Sequence, residues 1–383
     1  MKKRSFIFIA NIFMLFSLQL VTVTVMAQQS CNDETIMNTK GSWKKSNDAN
    51  MKAGNAQVIS RIDKMAKVLQ AAYPQPTGME ARWYRTMVNS PLINNGAIPY
   101  QLNALFPEYY CNTYSNKLEA ADETDDWFYV YANHFNWFVE YDQFFTVHKN
   151  PVYLLTKKVG MVAGYPVYEG IHNGTSNTGT KYSRAVILTR PGNSPYVPVT
   201  RKEYLIMFVK RYEIERTRQL EMISKQPERS VTDQETAKQT ALKNMEKSYT
   251  AASLERRRAE YLKNYQTDLQ KKEALLLKFN KLFDDAEKKA QDLLKTINDV
   301  EGAMPAIVTD DYVAKFEKFL TEEEGGRMLV TLNPGYFNNN LPKYVPQFLI
   351  VYWRWEKHKS AENYKDQIEK HFDFAALQEM LDK

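Results

Sequence analysis

From Asp233 to Val300 the chain contains neither proline nor glycine. A breaker-free stretch of that length is committed to helix, and its apolar spacing says how the helix packs. Leu262, Tyr265, Leu269, Leu276, Phe279, Phe283, Ala286, Ala290, Leu293, Ile297 and Val300 recur at alternating steps of three and four, with Lys272 as the polar intruder. Such a narrow seam is the pattern of coiled-coil or bundle packing. Leu242, Met245, Tyr249 and Ala252 follow the same rule upstream, but the two runs are out of phase between 252 and 262. A kink or short break is predicted there, and Ser248, Thr250 and Ser253 are mediocre helix formers that suit one.

The helical arm begins earlier. Thr200-Arg-Lys-Glu203 has the form of a capping box, in which threonine and glutamate satisfy each other's backbone amides. It predicts a helix from 201 to about 225, broken at Pro227, and Thr232-Asp-Gln-Glu235 opens the next. An unbroken helix over 233–300 would be roughly 100 Å long, against about 37 Å for 201–225. The second could not cover the seam of the first. Two solutions follow. Either the chain breaks between Ser248 and Leu262 and three helices pack together, or another protomer or a partner covers the seam. The phase slip favours the break.

Outside residues 201–303 the periodicity changes. Val58, Ile62, Met65, Leu69 and Tyr73 share one face of a helix over 55–73 that Pro74 and Pro76 stop. Residues 28–53 read as irregular and 78–111 as mixed. Residues 127–134, 151–156, 165–171, 182–189 and 327–332 read as strands. The strand at 347–355 carries Leu349, Val351, Trp353 and Trp355 on one face and Phe348, Ile350 and Tyr352 on the other, the pattern of a central strand. Helices are predicted over 310–322 and 361–382. The fold class expected is α+β: a mixed or antiparallel sheet body, contributed by 28–200 and 304–383, with an inserted coiled-coil-like arm over 201–303. Two independent α+β domains are the alternative.

The first 27 residues have the three parts of a signal peptide: Lys2, Lys3 and Arg4, an apolar run from Phe6 to about Val25, and Val25-Met26-Ala27 at the cleavage position. Cleavage after Ala27 is expected, with an uncleaved anchor as the alternative, and no transmembrane segment follows. Loss of the three leader cations lowers the formal charge from +6 to +3, too little to argue for nucleic acid. An exported chain with two cysteines, Cys31 and Cys111, is expected to pair them, with two free thiols as the alternative. Gln28, Gln29 and Ser30 precede Cys31 and disfavour lipidation there.

Little in the chain points to chemistry. His134, His148, His172, His358 and His371 show no metal-ligand spacing, so no metal site and no cofactor are expected. Gly174-Thr-Ser-Asn-Thr-Gly179 resembles a nucleophile elbow by letter alone, in a hairpin tip. Glu119, Asp122, Glu123, Asp125 and Asp126 could bind calcium or supply a carboxylate pair, but they lack the glycine and alternation of a calcium loop. A solvated acidic loop is the simpler reading. Residues 127–145 hold ten aromatics, a core or a sugar-stacking platform, and aromatics at both parities favour the core. Arg256-Arg257-Arg258 stands in an arm whose residues 233–300 carry 14 basic and 12 acidic side chains, the balance of a solvated face.

Three stretches carry a resemblance: Lys40-Gly-Ser-Trp-Lys44, Pro195-Tyr-Val-Pro-Val-Thr-Arg-Lys-Glu-Tyr-Leu205, and Asn333-Pro-Gly-Tyr-Phe337 with Leu341-Pro342 and Pro346-Gln347. Together they resemble a group of uncharacterised secreted proteins from Bacteroidetes-type bacteria. The resemblance implies export and a bacterial source, and it carries over no catalytic residue. The function expected is that of a secreted or periplasmic, non-enzymatic binding or scaffold protein. Its arm would contact an envelope protein or a second copy. The alternative is an extracellular hydrolase acting on glycan or peptide, with no catalytic residue assigned.

Overall fold

The computed structural model describes residues 31–51, 56–88, 96–115, 117–135, 139–147, 150–170, 173–176, 179–225 and 231–383. The expected leader and its expected cleavage point, Trp137, Phe138, His148, His172 and Pro227 lie outside the described residues. The fold is α+β, and the chain divides into two compact units. One is Met1–His134, Val159–Leu188 and Leu341–Lys383; the other is Phe135–Lys158 and Thr189–Asn340. The helices of the arm belong to the second unit, together with strands from both sides of them.

The strands, in chain order, are β1 (Trp43–Lys45), β2 (Ala81–Met87), β3 (Tyr100–Leu105), β4 (Tyr109–Asn112), β5 (Lys117–Ala120) and β6 (Trp127–Ala132). Then come β7 (Val139–Val147), β8 (Asn150–Leu155), β9 (Lys158–Val162), β10 (Tyr165–Glu169), β11 (Gly174–Ser176) and β12 (Gly179–Leu188). The last four are β13 (Tyr196–Pro198), β14 (Ile307–Val308), β15 (Arg327–Leu332) and β16 (Leu349–Glu356). The helices are α1 (Asp33–Asn38), α2 (Ala56–Ala72), α3 (Arg201–Lys225), α4 (Val231–Ser248), α5 (Ala251–Thr296), α6 (Asp299–Gly302), α7 (Lys359–His371) and α8 (Phe374–Gln378). Among the described residues, no helix is long and apolar enough to cross a membrane.

The first unit is built on a sheet of order β1-β2-β3-β6-β16-β12-β10-β9, with β11 on β12. The β1–β2 pair is parallel, and the neighbours from β2 to β12 pair antiparallel. As expected for a strand apolar on both faces, β16 is central. Leu349, Val351, Trp353 and Trp355 face a core shared with α2, α7 and α8. Ile350 and Tyr352, on the opposite face, are also buried. The α2 face is the one the spacing predicts: Val58, Ile62, Met65 and Leu69 are fully buried. Asn133, at positive φ just after β6, bonds through its side chain to the carbonyls of Ile98 and Val345 and to the amide of Gln347. The Cys31–Cys111 disulfide is present.

The local reading needs three corrections. Within 28–53, the described residues 31–51 are not irregular throughout, for they hold α1 and β1. The Trp43 indole there donates to the Tyr73 carbonyl at 2.9 Å, so a long-range contact orders a polar segment. The terminal helix is two helices, because Phe372 and Phe374 both enter the core, their rings 4.9 Å apart. Residues two apart cannot share one helix face. Residues 310–322 form turns and irregular chain rather than a helix. The carbonyls of Tyr312, Val313 and Ala314 accept from Tyr204, Arg211 and Tyr212 of α3, and α3 thereby takes acceptors that a helix would have used.

In the second unit the sheet runs β13-β15-β8-β7, with β14 on β15. The Thr200–Glu203 capping box is formed: Thr200 N donates to Glu203 at 2.8 Å, and Glu203 N to the Thr200 hydroxyl at 3.2 Å. The arm breaks at Tyr249–Thr250, inside the Ser248–Leu262 window. Thr250 is extended and the chain reverses. Two side-chain pairs set the α4–α5 register: Glu246 takes Arg258, and the Lys238 ammonium sits 5.2 Å from the Tyr265 ring centre. Farther along α5, Arg216 of α3 bonds Asp284 at 2.7 Å and Glu287 at 3.1 Å. Helix α5, about 69 Å long at 1.5 Å per residue, is therefore lined antiparallel by α4 and then by α3.

Candidate functional site

A concavity of the second unit grows from that packing. Tyr204, Phe208 and Tyr212 stand one helical turn apart on α3. Their rings continue into Phe316, 5.6 Å from Tyr204, and into Phe283 of α5, 5.7 Å from Tyr212. Phe279 lies 5.0 Å from Phe283. Because residues 310–319 are held off helical geometry by α3, they stand beside α5 and leave a groove of about 610 Å³. Its floor is Tyr212, Phe279, Phe283, Ala286 and Phe316, and Leu282 stands at its edge, 59% exposed.

The rim is charged. Glu317 takes both Lys289 and Lys315, which leaves Asp285 and Asp311 without a cationic partner among the described residues. Burial, helped by Asp311 and Glu287 and opposed by Arg211, raises the Tyr212 pKa, so its hydroxyl stays protonated and donates to Ala314. The groove is thus an aromatic slot with two unneutralised carboxylates on its rim.

The seam residues divide along α5. Phe283 is buried, and Phe279, Leu293 and Ile297 pack against the core of this unit. Tyr265, Leu269 and Leu276 are half-buried, and Leu262 is 38% exposed. Val300, also on the periodic run, is 81% exposed in α6. Spacing finds Phe279 and Phe283. It misses Phe316 and the carboxylates of Asp285 and Asp311, which reach the groove only because of how residues 310–319 fold.

The first unit holds two further clusters. His358 Nε2 is 3.1 Å from Asp126 and its Nδ1 is 3.1 Å from Glu108. Ser360 Oγ lies 2.9 Å from Nδ1. By residue type this is a Ser-His-Asp set, but Ser360 is fully buried and donates to Glu108 at 2.6 Å. A nucleophile must be reached by substrate, so the cluster acts as a clamp between β6, β16 and α7. Burial lowers the His358 pKa, but the bonds and charges of Asp126 and Glu108 outweigh it and carry it up to about 10. No spacing signal in the sequence joins these residues.

The acidic loop borders a cavity of about 480 Å³ with Arg82, Trp127 and Glu356. Asp125 pairs with Lys181 and Arg354, whose guanidinium stacks 4.0 Å from the Trp127 ring centre. Glu119 is bonded within the β4–β5 turn to Asn112 and Ser115. Burial, followed by Asp126 and Asp125, raises the Glu356 pKa. Among the described residues no group of histidine, cysteine and carboxylate side chains is arranged to hold a metal. His134 is buried, which pulls its pKa down to about 4 and keeps it neutral. Of the aromatics from 127, Phe128, Tyr129, Tyr131 and Phe135 are buried, while Trp127 lines the cavity.

No family model, no curated protein and no solved structure matches the chain.

Proposed function

We propose that the chain is an exported, non-enzymatic binding or scaffold protein whose helical hairpin takes a segment of a partner protein into the groove beside α5. The observation that carries this reading is the pairing of an aromatic floor with an exposed Leu282 and two unneutralised rim carboxylates. Apolar slots with sparse charge at the edge suit an anchoring side chain on a peptide. The free charge is negative, so the partner segment carries a bulky apolar anchor next to lysine or arginine. The Cys31–Cys111 disulfide supports export, since such bonds persist in oxidising compartments.

A random peptide display library selected against the whole chain tests the reading. The expected result is enrichment of aromatic or aliphatic residues beside lysine or arginine, lost against Leu282→Glu. Equal enrichment against both proteins overturns it.

The acidic cavity favours a second reading, an extracellular glycan hydrolase. A tryptophan ring beside several carboxylates, one of them with a raised pKa, is a combination such enzymes use. Turnover of a polysaccharide panel that is abolished by Glu356→Gln would establish it. No turnover by the unaltered chain would remove it.

A further inference from the structure

Averaged over 233–300 the arm is almost neutral, but the fold separates its charge. Residues 236–264, which form the turn end of the hairpin, carry seven cations against three anions. Residues 265–300 carry seven of each. The reversal at Tyr249–Thr250 puts Lys243 and Lys247, near the end of α4, at the same end of the hairpin as Arg256, Arg257 and Arg258, near the start of α5.

The local anions do not cancel this charge. Glu246 takes Arg258, Glu260 stands 3.5 Å from Arg257, and Glu235, just outside this stretch, takes Lys238 at 2.7 Å. Lys243, Lys247 and Arg256 are exposed and have no carboxylate partner among the described residues. At the apex Tyr249 is 43% exposed, flanked by exposed Ser248, Thr250, Ala251 and Ala252. A small apex with one aromatic ring, ringed by cations, fits the headgroup layer of a bilayer, where such rings settle and cations meet lipid phosphates.

We propose that the turn end of the hairpin docks on an anionic phospholipid surface, with Tyr249 at headgroup level. This is independent of the groove. The charge gradient is what favours a lipid surface over a nucleic acid. A polyanionic strand is held by cations running along a groove or face, whereas here the excess is concentrated at the end: residues 236–264 carry a net +4, against +3 over more than twice as many residues in 201–225 and 265–300 together.

The test is co-sedimentation of the full chain with phosphatidylcholine vesicles, alone or with about one-third phosphatidylglycerol. Binding is expected only to the second kind and should weaken with added salt. Each cation near such a surface contributes about five-fold. Arg256→Glu with Arg257→Glu should therefore weaken binding at least about 25-fold. Lys243→Glu with Lys247→Glu, on the other helix, should do the same and guards against a folding defect in either pair. Equal binding to both vesicle types, or retention by both double variants, overturns the proposal. So does binding to a DNA duplex with none to phosphatidylglycerol vesicles, which would make the tip a nucleic-acid contact.

Discussion

His358 holds Asp126 through Nε2 at 3.1 Å, and Asp126 is almost completely buried at the start of β6. The same ring stands at the N-cap of α7, with Nδ1 3.2 Å from the Ala361 amide. A neutral ring caps the helix, whereas a protonated ring serves Glu108 and Asp126. The clamp therefore titrates. Histidine in an unfolded chain titrates near 6.5 and here near 10. The stability it adds is complete below about pH 6.5 and is lost as pH rises through about 10. Urea unfolding of the chain should show stability declining across that window, and a flat profile would show the ring to be neutral throughout.

Removal of the ring is a separate prediction. His358→Ala leaves the Asp126 charge buried without its cation, and uncompensated charges of this kind cost about 3–5 kcal/mol. His358→Ala with Asp126→Asn should recover much of that loss. If the double variant is no more stable than the single one, the pair is not the origin of the effect.

The disulfide joins residues 80 apart in sequence. Closing a loop of that size restricts the unfolded chain by about 4 kcal/mol in the entropic account. Cys31→Ser with Cys111→Ser should lower the unfolding free energy by about 2–5 kcal/mol while the first-unit sheet persists, as followed by far-ultraviolet circular dichroism. Thiol labelling of the unfolded, unreduced chain should find no reactive cysteine.

What could be read from sequence was whatever depends on local period. The α2 face and the two-sided β16 each rest on a repeated spacing, and the structure places their residues as that spacing implies; along the α5 seam, Phe279, Phe283, Leu293 and Ile297 join the core of the second unit while Leu262 and Val300 are exposed. Residues 310–322 carry a helical pattern too, yet Tyr204, Arg211 and Tyr212 capture their carbonyls from more than 100 positions away. That failure created the groove. The His358 clamp gathers Glu108, Asp126 and Ser360 from separate elements, and no spacing rule reaches so far. The basic tip was hidden for another reason: a charge balance taken along the whole arm averages over the one end where the turn gathers cations from both helices.

The last prediction separates the seam from the groove edge. Phe283 is 9% exposed, in edge contact with Tyr212 and beneath the Arg216 guanidinium at 5.7 Å. Phe279→Ser with Phe283→Ser removes two rings from a core made by the chain's own helices. Large-to-small changes at such sites cost about 3–5 kcal/mol for a phenylalanine. The melting temperature of the second unit should fall sharply while the mass in solution stays the same, because Tyr212 and Arg216 of α3 lie against Phe283. Leu282, one position away and 59% exposed, contributes little to that core. Leu282→Glu should shift stability by no more than about 0.5 kcal/mol while abolishing peptide capture by the groove. Scanning calorimetry with light scattering reads both variants. If the double serine variant dissociated a larger assembly and left the melting temperature alone, the seam would be an interface between copies.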